Sequence, residues 1–430
     1  MTDMISLCHN QYLYLCDYNQ IINSSIKDLF LENSQDRKVT TTDVPISKEI
    51  LMNRIAKLPQ IIFEVSANCN LRCKYCVYNN NYYNQRELSP EMMNTEISKK
   101  ALDYIYSFIN NRKDKTLSLS FYGGEPMMNM KTVKAIIEYG KKLFAQWELY
   151  FNMTTNLTLL NHDILEFLVE NNIALMVSLD GGKENHDSKR VYTNNTGTFD
   201  TVMENLQKIY NYDPDYFRRK VSFSSVFSFD LSLIAQYEFF KTNPLIQKSR
   251  IRFSTVNTFD TTYYQSYPYK KDEFERDIKT IFSSVKAKIK NNEELTGYET
   301  YLFSDFKKIG DALKGRRHTT LGGSCLFDSR LFIDAEGRFH VCEKINHTFS
   351  FGDVENGFDF EKMSAITHDF IQTQKETCGK CNLKYLCTVC FASFGGDGKF
   401  RINSEFCRTQ RQVIAANLEN YIQCKEEKLM

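Results

Sequence analysis

The stretch Gln60-Ile61-Ile62-Phe63-Glu64-Val65-Ser66-Ala67-Asn68-Cys69-Asn70-Leu71-Arg72-Cys73-Lys74-Tyr75-Cys76 decides how the rest of the chain is read. It opens on a run rich in Ile, Phe and Val, the pattern of a buried strand. Three cysteines follow at once, separated by three and then two residues. Spacings that short let three thiolates converge on one metal centre. A structural zinc site is normally closed by a fourth ligand within a similar motif. Here the next cysteine after Cys76 is Cys325. Three thiolates on a four-iron cube leave one iron without a protein ligand, an open position like that of a catalytic metal. A zinc or redox cysteine cluster is the plainer alternative.

Five further strand-like runs lie downstream, at residues 117–122, 148–155, 173–179, 220–227 and 250–256. Between them the pattern is helical, at residues 95–110, 130–145, 162–171, 199–210 and 232–242. Ile164, Phe167 and Leu168, for example, keep the i, i+3, i+4 spacing of one helix face. Six strand–helix alternations predict an α/β fold, a parallel sheet or partial barrel. Beyond Val256 two charged helices are expected, at 269–291 and 301–314. From Leu321 the chain reads as short strands, Gly-bearing turns and cysteines, a small metal-stapled domain, and then a helix over 404–426. The expected domains are an N-terminal segment at 1–57, a core barrel at 58–265, a helical bridge at 266–320 and a cysteine-rich domain at 321–430.

Composition narrows the function. A chain of 430 residues suggests two or three domains, and a formal net charge of +1 argues against a large nucleic-acid-binding field. No apolar run approaches the ~18 residues of a membrane span. The first twenty residues carry Asp3, His9 and Asp17 and no apolar h-region. A cytoplasmic protein with neither a nucleic-acid nor a membrane partner is expected. Thirteen cysteines in that compartment point to metal or catalysis rather than disulfides. They fall in two groups. After the early triplet, Cys325, Cys342, Cys378, Cys381, Cys387, Cys390 and Cys407 crowd the last quarter, while Cys8, Cys16 and Cys424 stand apart. Buried inert thiols are the expectation for those three.

Cys-x3-Cys-x2-Cys after the first strand, with Tyr75 just before the last cysteine, resembles the radical S-adenosylmethionine (SAM) superfamily. The likeness extends to the ends of the next strands. Gly123-Gly124-Glu125-Pro126 matches the family motif that binds the SAM amino group, and Glu125 could accept from it. Asn156 stands where the family often places a polar SAM contact. Ser178-Leu179-Asp180-Gly181, with His186-Asp187 and Arg190, resembles one branch of the family. Ser178 and Arg190 are candidates for the SAM carboxylate or ribose, with a strand end and a surface ion pair as the plainer reading. Asp180 could equally orient a loop or bind substrate. All four motifs fall at the carboxyl ends of successive expected strands, the face on which α/β barrels assemble active sites. The resemblance implies a partial (β/α)6 barrel and a radical-generating 4Fe–4S cluster on Cys69, Cys73 and Cys76. It also implies SAM as co-substrate, with Tyr75, Gly123, Gly124, Glu125, Pro126, Asn156, Ser178, Asp180 and Arg190 around it.

The late cysteines resemble the SPASM domain of peptide-modifying relatives. That likeness implies one auxiliary cluster on Cys325, Cys342 and Cys390, and a second on Cys378, Cys381, Cys387 and Cys407, three 4Fe–4S clusters in all. Two departures stand out. Only Thr388 and Val389 separate Cys387 from Cys390, where the family usually has three residues. The first auxiliary cluster also lacks an obvious fourth ligand. The position is open, or water, Glu343 or Cys424 fills it. Residues 11–22 alternate and could form a hairpin, read either as a reduced peptide-recognition element or as a cap on the barrel floor. The family implies a maturase that installs a thioether or C–C crosslink in a precursor peptide, with flavodoxin or ferredoxin as reductant. The alternatives are an anaerobic sulfatase-maturing enzyme and a non-catalytic iron–sulfur peptide-binding scaffold.

Overall fold

A computed structural model describes residues 4–32, 40–42, 46–79, 81–83, 86–258, 260–314, 317–319, 327–387, 390–393, 395–396 and 398–429. Three antiparallel strands come first, β1 (Met4–Leu7), β2 (Tyr12–Leu15) and β3 (Gln20–Asn23). The expected hairpin is the β2–β3 pair, Leu13 opposite Ile22 and Tyr14 opposite Ile21. α1 (Lys27–Glu32), β4 (Thr40–Thr42) and α2 (Lys48–Ile55) follow.

The barrel is built from β5 (Gln60–Ser66), α3 (Thr95–Ile109), β6 (Thr116–Gly123), α4 (Met130–Leu143), β7 (Glu148–Thr155), α5 (His162–Glu170) and β8 (Ala174–Ser178). It continues through α6 (Lys183–Lys189), α7 (Phe199–Tyr212), α8 (Pro214–Lys220), β9 (Val221–Phe227), α9 (Leu233–Thr242) and β10 (Ile251–Thr255). The six strands β5 to β10 run parallel in chain order. β5 is buried from Ile61 onward, whereas β9 alternates, with Val221, Phe223 and Phe227 buried and Ser222 and Ser224 on the half-buried face. On α3, Ala101, Leu102, Ile105 and Ile109 are buried on one face, and Asn94 caps its start by accepting from the Ile97 N–H.

α10 (Tyr263–Ser266), α11 (Lys271–Lys290), α12 (Gly297–Lys314) and β11 (Arg317–Thr319) come next. Then β12 (Leu331–Ile333) lies parallel beside β5, with β13 (Phe339–His340) antiparallel outside it. The cysteine-rich region therefore shares the barrel's sheet. It also contains a long helix where short strands were expected: α13 (Phe360–Cys378) buries Met363, Ile366, Phe370 and Ile371. α14 (Ser404–Glu426) closes the order. The N-terminal sheet packs on α14, not on the barrel floor. Leu7, Tyr14 and Cys16 form one apolar cluster with Leu383, Leu386, Ile414, Leu418 and Ile422. Among the described residues no helix is long and apolar enough to cross a membrane.

Candidate active site

The loop leaving β5 carries Cys69, Cys73 and Cys76 and is fastened by its backbone. Arg72 N–H donates to Val191 O at 2.8 Å and Lys74 N–H to Lys189 O at 2.9 Å. The Asn79 amide donates to Lys74 O at 2.9 Å. Below it, Gly124 N–H donates to Ser66 O at 2.8 Å and Glu125 N–H to Asn68 O at 2.9 Å. Both glycines are required by this contact. A Cβ at Gly123, whose φ is +122°, would stand 2.4 Å from Ser66 O, and one at Gly124 only 2.0 Å from Asn68 O. The motif thus seats the cysteine loop directly. Gly124→Ala is expected to displace Asn68 and Cys69 and to weaken iron binding by the early loop about tenfold or more. Iron on the late cysteines should stay. Equal loss of iron from both groups would contradict this.

Polar groups from the loop itself, from the end of β7 and from the end of α6 point at the sulfurs. Asn156 Nδ2 reaches Cys69 Sγ at 3.8 Å, Leu71 N–H donates to the same sulfur at 3.4 Å, and Arg190 Nη1 reaches Cys73 Sγ at 3.8 Å. Burial pushes the Cys69 and Cys73 thiols up to about 12, with Arg190 pulling Cys73 the other way. Burial raises Cys76 too. Loading a metal here must release those protons. A cleft of about 230 Å³ opens beside the loop, lined by Arg72, Cys73, Cys76, Asn79 and Tyr267 among others.

Most of the expected SAM contacts have internal partners as well. Glu125 Oε1 accepts from Met127 N–H at 3.0 Å and Thr155 Oγ1 at 2.7 Å, and Oε2 from Asn156 N–H at 2.7 Å. A carboxylate has about four acceptor positions, so one remains. Burial raises Glu125 to about 6, against the pull of those three donors. Pro126 is buried at the start of the short helical turn that follows. Asp180 is 1% exposed and accepts from Tyr75 Oη, from Arg190 Nε at 2.8 Å and from Val226 N–H at 2.8 Å. The Arg190 ion pair is therefore buried rather than on the surface. His186 and Asp187 serve the same region structurally. His186 Nδ1 accepts from Asp180 N–H, and Asp187 Oδ1 accepts from the N–H groups of Thr198 and Phe199. Ser178 ends β8 opposite Ser224.

The late cysteines form two neighbourhoods. Burial, then the charges of Cys387, Cys407 and Cys381, raise Cys378 to about 11. Cys378 ends α13 and Cys407 lies in the first turn of α14, so two helix termini bring that quartet together. Burial and the Glu343 carboxylate push Cys342 up to about 12, and Cys390 adds to the rise. Cys325 lies outside the described residues, as do Thr388 and Val389. Cys424 is buried on α14 with Lys286 and Glu427 as its charged neighbours. Cys16 Sγ donates to Cys381 O at 3.8 Å, and Cys8 N–H donates to Glu419.

The early loop and the quartet offer the donors that iron–sulfur clusters take. Soft thiolates at these spacings suit them. Among the described residues no three cysteine sulfurs lie within 4.8 Å of one another. A tetrahedral zinc, with Zn–S of ~2.3 Å, would hold its thiolates about 3.8 Å apart. One other trio does meet that limit, Asp334, His340 and His347. Asp334 is already committed there. Its Oδ1 accepts the N–H groups of Glu336 and Arg338, and its Oδ2 accepts from Arg338 Nε at 2.7 Å and pairs with His340 Nε2 at 2.9 Å. The trio reads as the knot of the β12–β13 turn.

Residues 63–215 match the family model described as the Radical SAM superfamily. The chain carries a radical SAM domain. A cysteine-type anaerobic sulfatase-maturating enzyme from Clostridium novyi is 32% identical over 161 residues, 37% of this chain and 42% of that protein. The chain spans less than half the length of the curated relatives it matches. Among solved structures, native anSMEcpe with bound AdoMet aligns over 85% of this chain and 98% of its own, with a TM-score of 0.64 and 18% identity. Streptococcus suis SuiB bound to its precursor peptide SuiA aligns over 91% and 95%, with a TM-score of 0.50 and 13% identity. These likenesses are of fold. The radical SAM domain also holds residues that the sequence did not single out. Lys189 is buried, paired with Asp230 at 2.7 Å and set 3.4 Å from the Tyr267 ring centre. Arg86 is buried between the two cysteine groups. Arg86 sits in no motif, Lys189 stands unmarked between Asp187 and Arg190, and their roles show only in their partners, Glu64, Tyr78 and Glu343 for the first and Asp230 for the second.

Proposed function

We propose that this protein is a radical SAM enzyme that modifies a ribosomally made precursor peptide in the cytoplasm, forming an intramolecular thioether or C–C crosslink. The observation that carries the reading is the rim itself. Cys69, Cys73 and Cys76 leave the first barrel strand beside a cleft, with Asn156 from the end of β7 and Arg190 from the end of α6 aimed at their sulfurs. A 4Fe–4S cluster bound there would supply the electron that splits SAM into methionine and a 5′-deoxyadenosyl radical, which takes hydrogen from the peptide. The chain's own residues orient and shield. Asp180 holds Tyr75 and Arg190 against the loop, and the remaining acceptor position of Glu125 suits the SAM amino group. Ser178, Asn156 and Arg190 serve the rest of SAM.

Two auxiliary 4Fe–4S clusters, on Cys325, Cys342 and Cys390 and on Cys378, Cys381, Cys387 and Cys407, would pass on the electron released when the bond forms. Flavodoxin or ferredoxin is the reductant we assign. SuiB, whose structure holds a precursor peptide, supports a peptide substrate by likeness of fold. A second reading, oxidation of a Cys or Ser to formylglycine, is favoured by the sulfatase-maturating relative. Glu343 after Cys342, where that group typically has Asp, counts against it. Anaerobic incubation of reconstituted protein with SAM, dithionite and the candidate peptide tests both. A crosslinked peptide at unchanged sequence supports the first, formylglycine the second, and no 5′-deoxyadenosine under any condition defeats both.

The charge of Glu125 makes a pH prediction. Its folded pKa, about 6, lies above its ordinary value, so the carboxylate that would receive the amino group is present above about pH 6 and lost below it. SAM affinity should be level above pH 7 and fall below pH 6, approaching about tenfold per unit. Equilibrium dialysis of the reconstituted enzyme measures it. The same slope in Glu125→Gln would assign the titration to another group.

A further inference from the structure

We propose that Arg86 is a positioning residue that ties the loop following Cys76 to the loop following Cys342, fixing the SAM-binding site against the first auxiliary site; the inference rests on the reading above. The Arg86 side chain is 3% exposed. Its Nη1 donates to Glu64 Oε1 at 2.9 Å, at the end of β5. Its Nη2 donates to Tyr78 Oη at 2.7 Å and to the Glu343 carbonyl at 2.6 Å. Tyr78, two residues after Cys76, donates its own hydroxyl to that carbonyl at 3.1 Å, which closes a triangle. The guanidinium lies 4.9 Å from the Tyr78 ring centre and 4.5 Å from that of Phe332 on β12. Glu64 Oε2 accepts from Ala335 N–H at 3.2 Å, so the same carboxylate reaches the β12–β13 turn.

One planar cation therefore joins four segments, and two of them carry metal-ligand candidates. Its bonds converge on the backbone directly after Cys342 and on a side chain just after Cys76. A displacement there moves ligands of both centres. Replacing Arg86 by Met leaves the Glu64 carboxylate buried without its partner, so stability falls whatever the role, and only the spectrum, potential and coupling of the centres separate positioning from packing. Lysine cannot substitute, because a single ammonium lacks the planar fork that serves Glu64, Tyr78 and Glu343 together.

The test uses reconstituted holoenzyme carrying Arg86→Lys, Arg86→Met or the milder Tyr78→Phe. Iron per chain, 5′-deoxyadenosine, modified peptide and the EPR spectrum and reduction potential of the auxiliary centres are all measured. Product formed per SAM cleaved should fall about tenfold in both Arg86 variants and less in Tyr78→Phe. The EPR signal and potential of the centre on Cys342 should change while the centre on Cys378, Cys381, Cys387 and Cys407 keeps its own. Arg86→Lys should not rescue. Wild-type coupling, spectrum and potential in the variants overturn the proposal. Losses that merely track iron content and melting temperature in all three variants also overturn it. A wild-type enzyme that never cleaves SAM defeats the functional reading instead. The spectrum and potential of the Cys342 centre in the variants then decide the role of Arg86 by themselves.

Discussion

Replacing Cys69, Cys73 and Cys76 together by alanine should abolish 5′-deoxyadenosine formation while about two-thirds of the reconstituted iron remains. The expectation rests on how separately the cysteine groups are built. The early loop is held by backbone bonds to Val191 and Lys189 and by the Asn79 side chain, none of which uses a thiol. The loop therefore keeps its place when the sulfurs are removed. The quartet is assembled elsewhere, from the end of α13, the start of α14 and the intervening loop. The N-terminal sheet covers that loop through Tyr14, Cys16, Leu383 and Leu386. Wild type should hold about twelve irons per chain, the triple variant about eight, and Cys378→Ala/Cys407→Ala about eight with SAM cleavage retained. Anaerobic iron assay and chromatography of the nucleoside products measure both quantities. About four irons in the wild type would remove the auxiliary clusters, and loss of all iron in the triple variant would mean that the centres do not form independently.

Legibility followed locality. The six barrel strands stand within a residue or so of the runs that predicted them, because their buried positions are marked by large apolar residues, such as Val221, Phe223 and Phe227 of β9. Gln60–Ser66 and Glu148–Thr155 coincide with the expected bounds. α13 carried a readable signal that the surrounding cysteines and glycines obscured: Met363, Ile366, Phe370 and Ile371 keep helical spacing. The pairing of β12 with β5 was not legible, since a three-residue strand says nothing of a partner more than two hundred residues away. The site divides the same way. Cysteines and glycines announce themselves by spacing. The reason for Gly123 and Gly124 does not, since it lies in their contact with Ser66 and Asn68. Arg86 and Lys189 look like ordinary surface cations until burial and partners are known.

Asp180→Ala should be the most damaging single substitution outside the cysteines. The side chain is 1% exposed and that of Arg190 10%, so the cation has little water to fall back on. Removing one partner of a buried pair typically costs about 3–5 kcal/mol, because the other charge is left uncompensated. Here the loss also frees the Tyr75 hydroxyl and the Val226 N–H, and each buried polar group left unpaired adds to the cost. The damage reaches function through geometry. Tyr75 lies between Cys73 and Cys76, and Arg190 extends from Asp180 to the Cys73 sulfur. SAM cleavage should therefore fall by about a hundredfold, beyond what lost iron explains. A double-mutant cycle separates the pair from the site. Arg190→Met should also be destabilising, but Asp180→Ala/Arg190→Met should recover much of the stability because no buried charge remains. The recovered variant should still cleave SAM poorly, since the contact with Cys73 is gone. Anaerobic urea denaturation gives the coupling energy, and initial rates of 5′-deoxyadenosine formation give the second readout. Asp180→Ala within about 1 kcal/mol of wild type would show that this carboxylate does not hold the rim together.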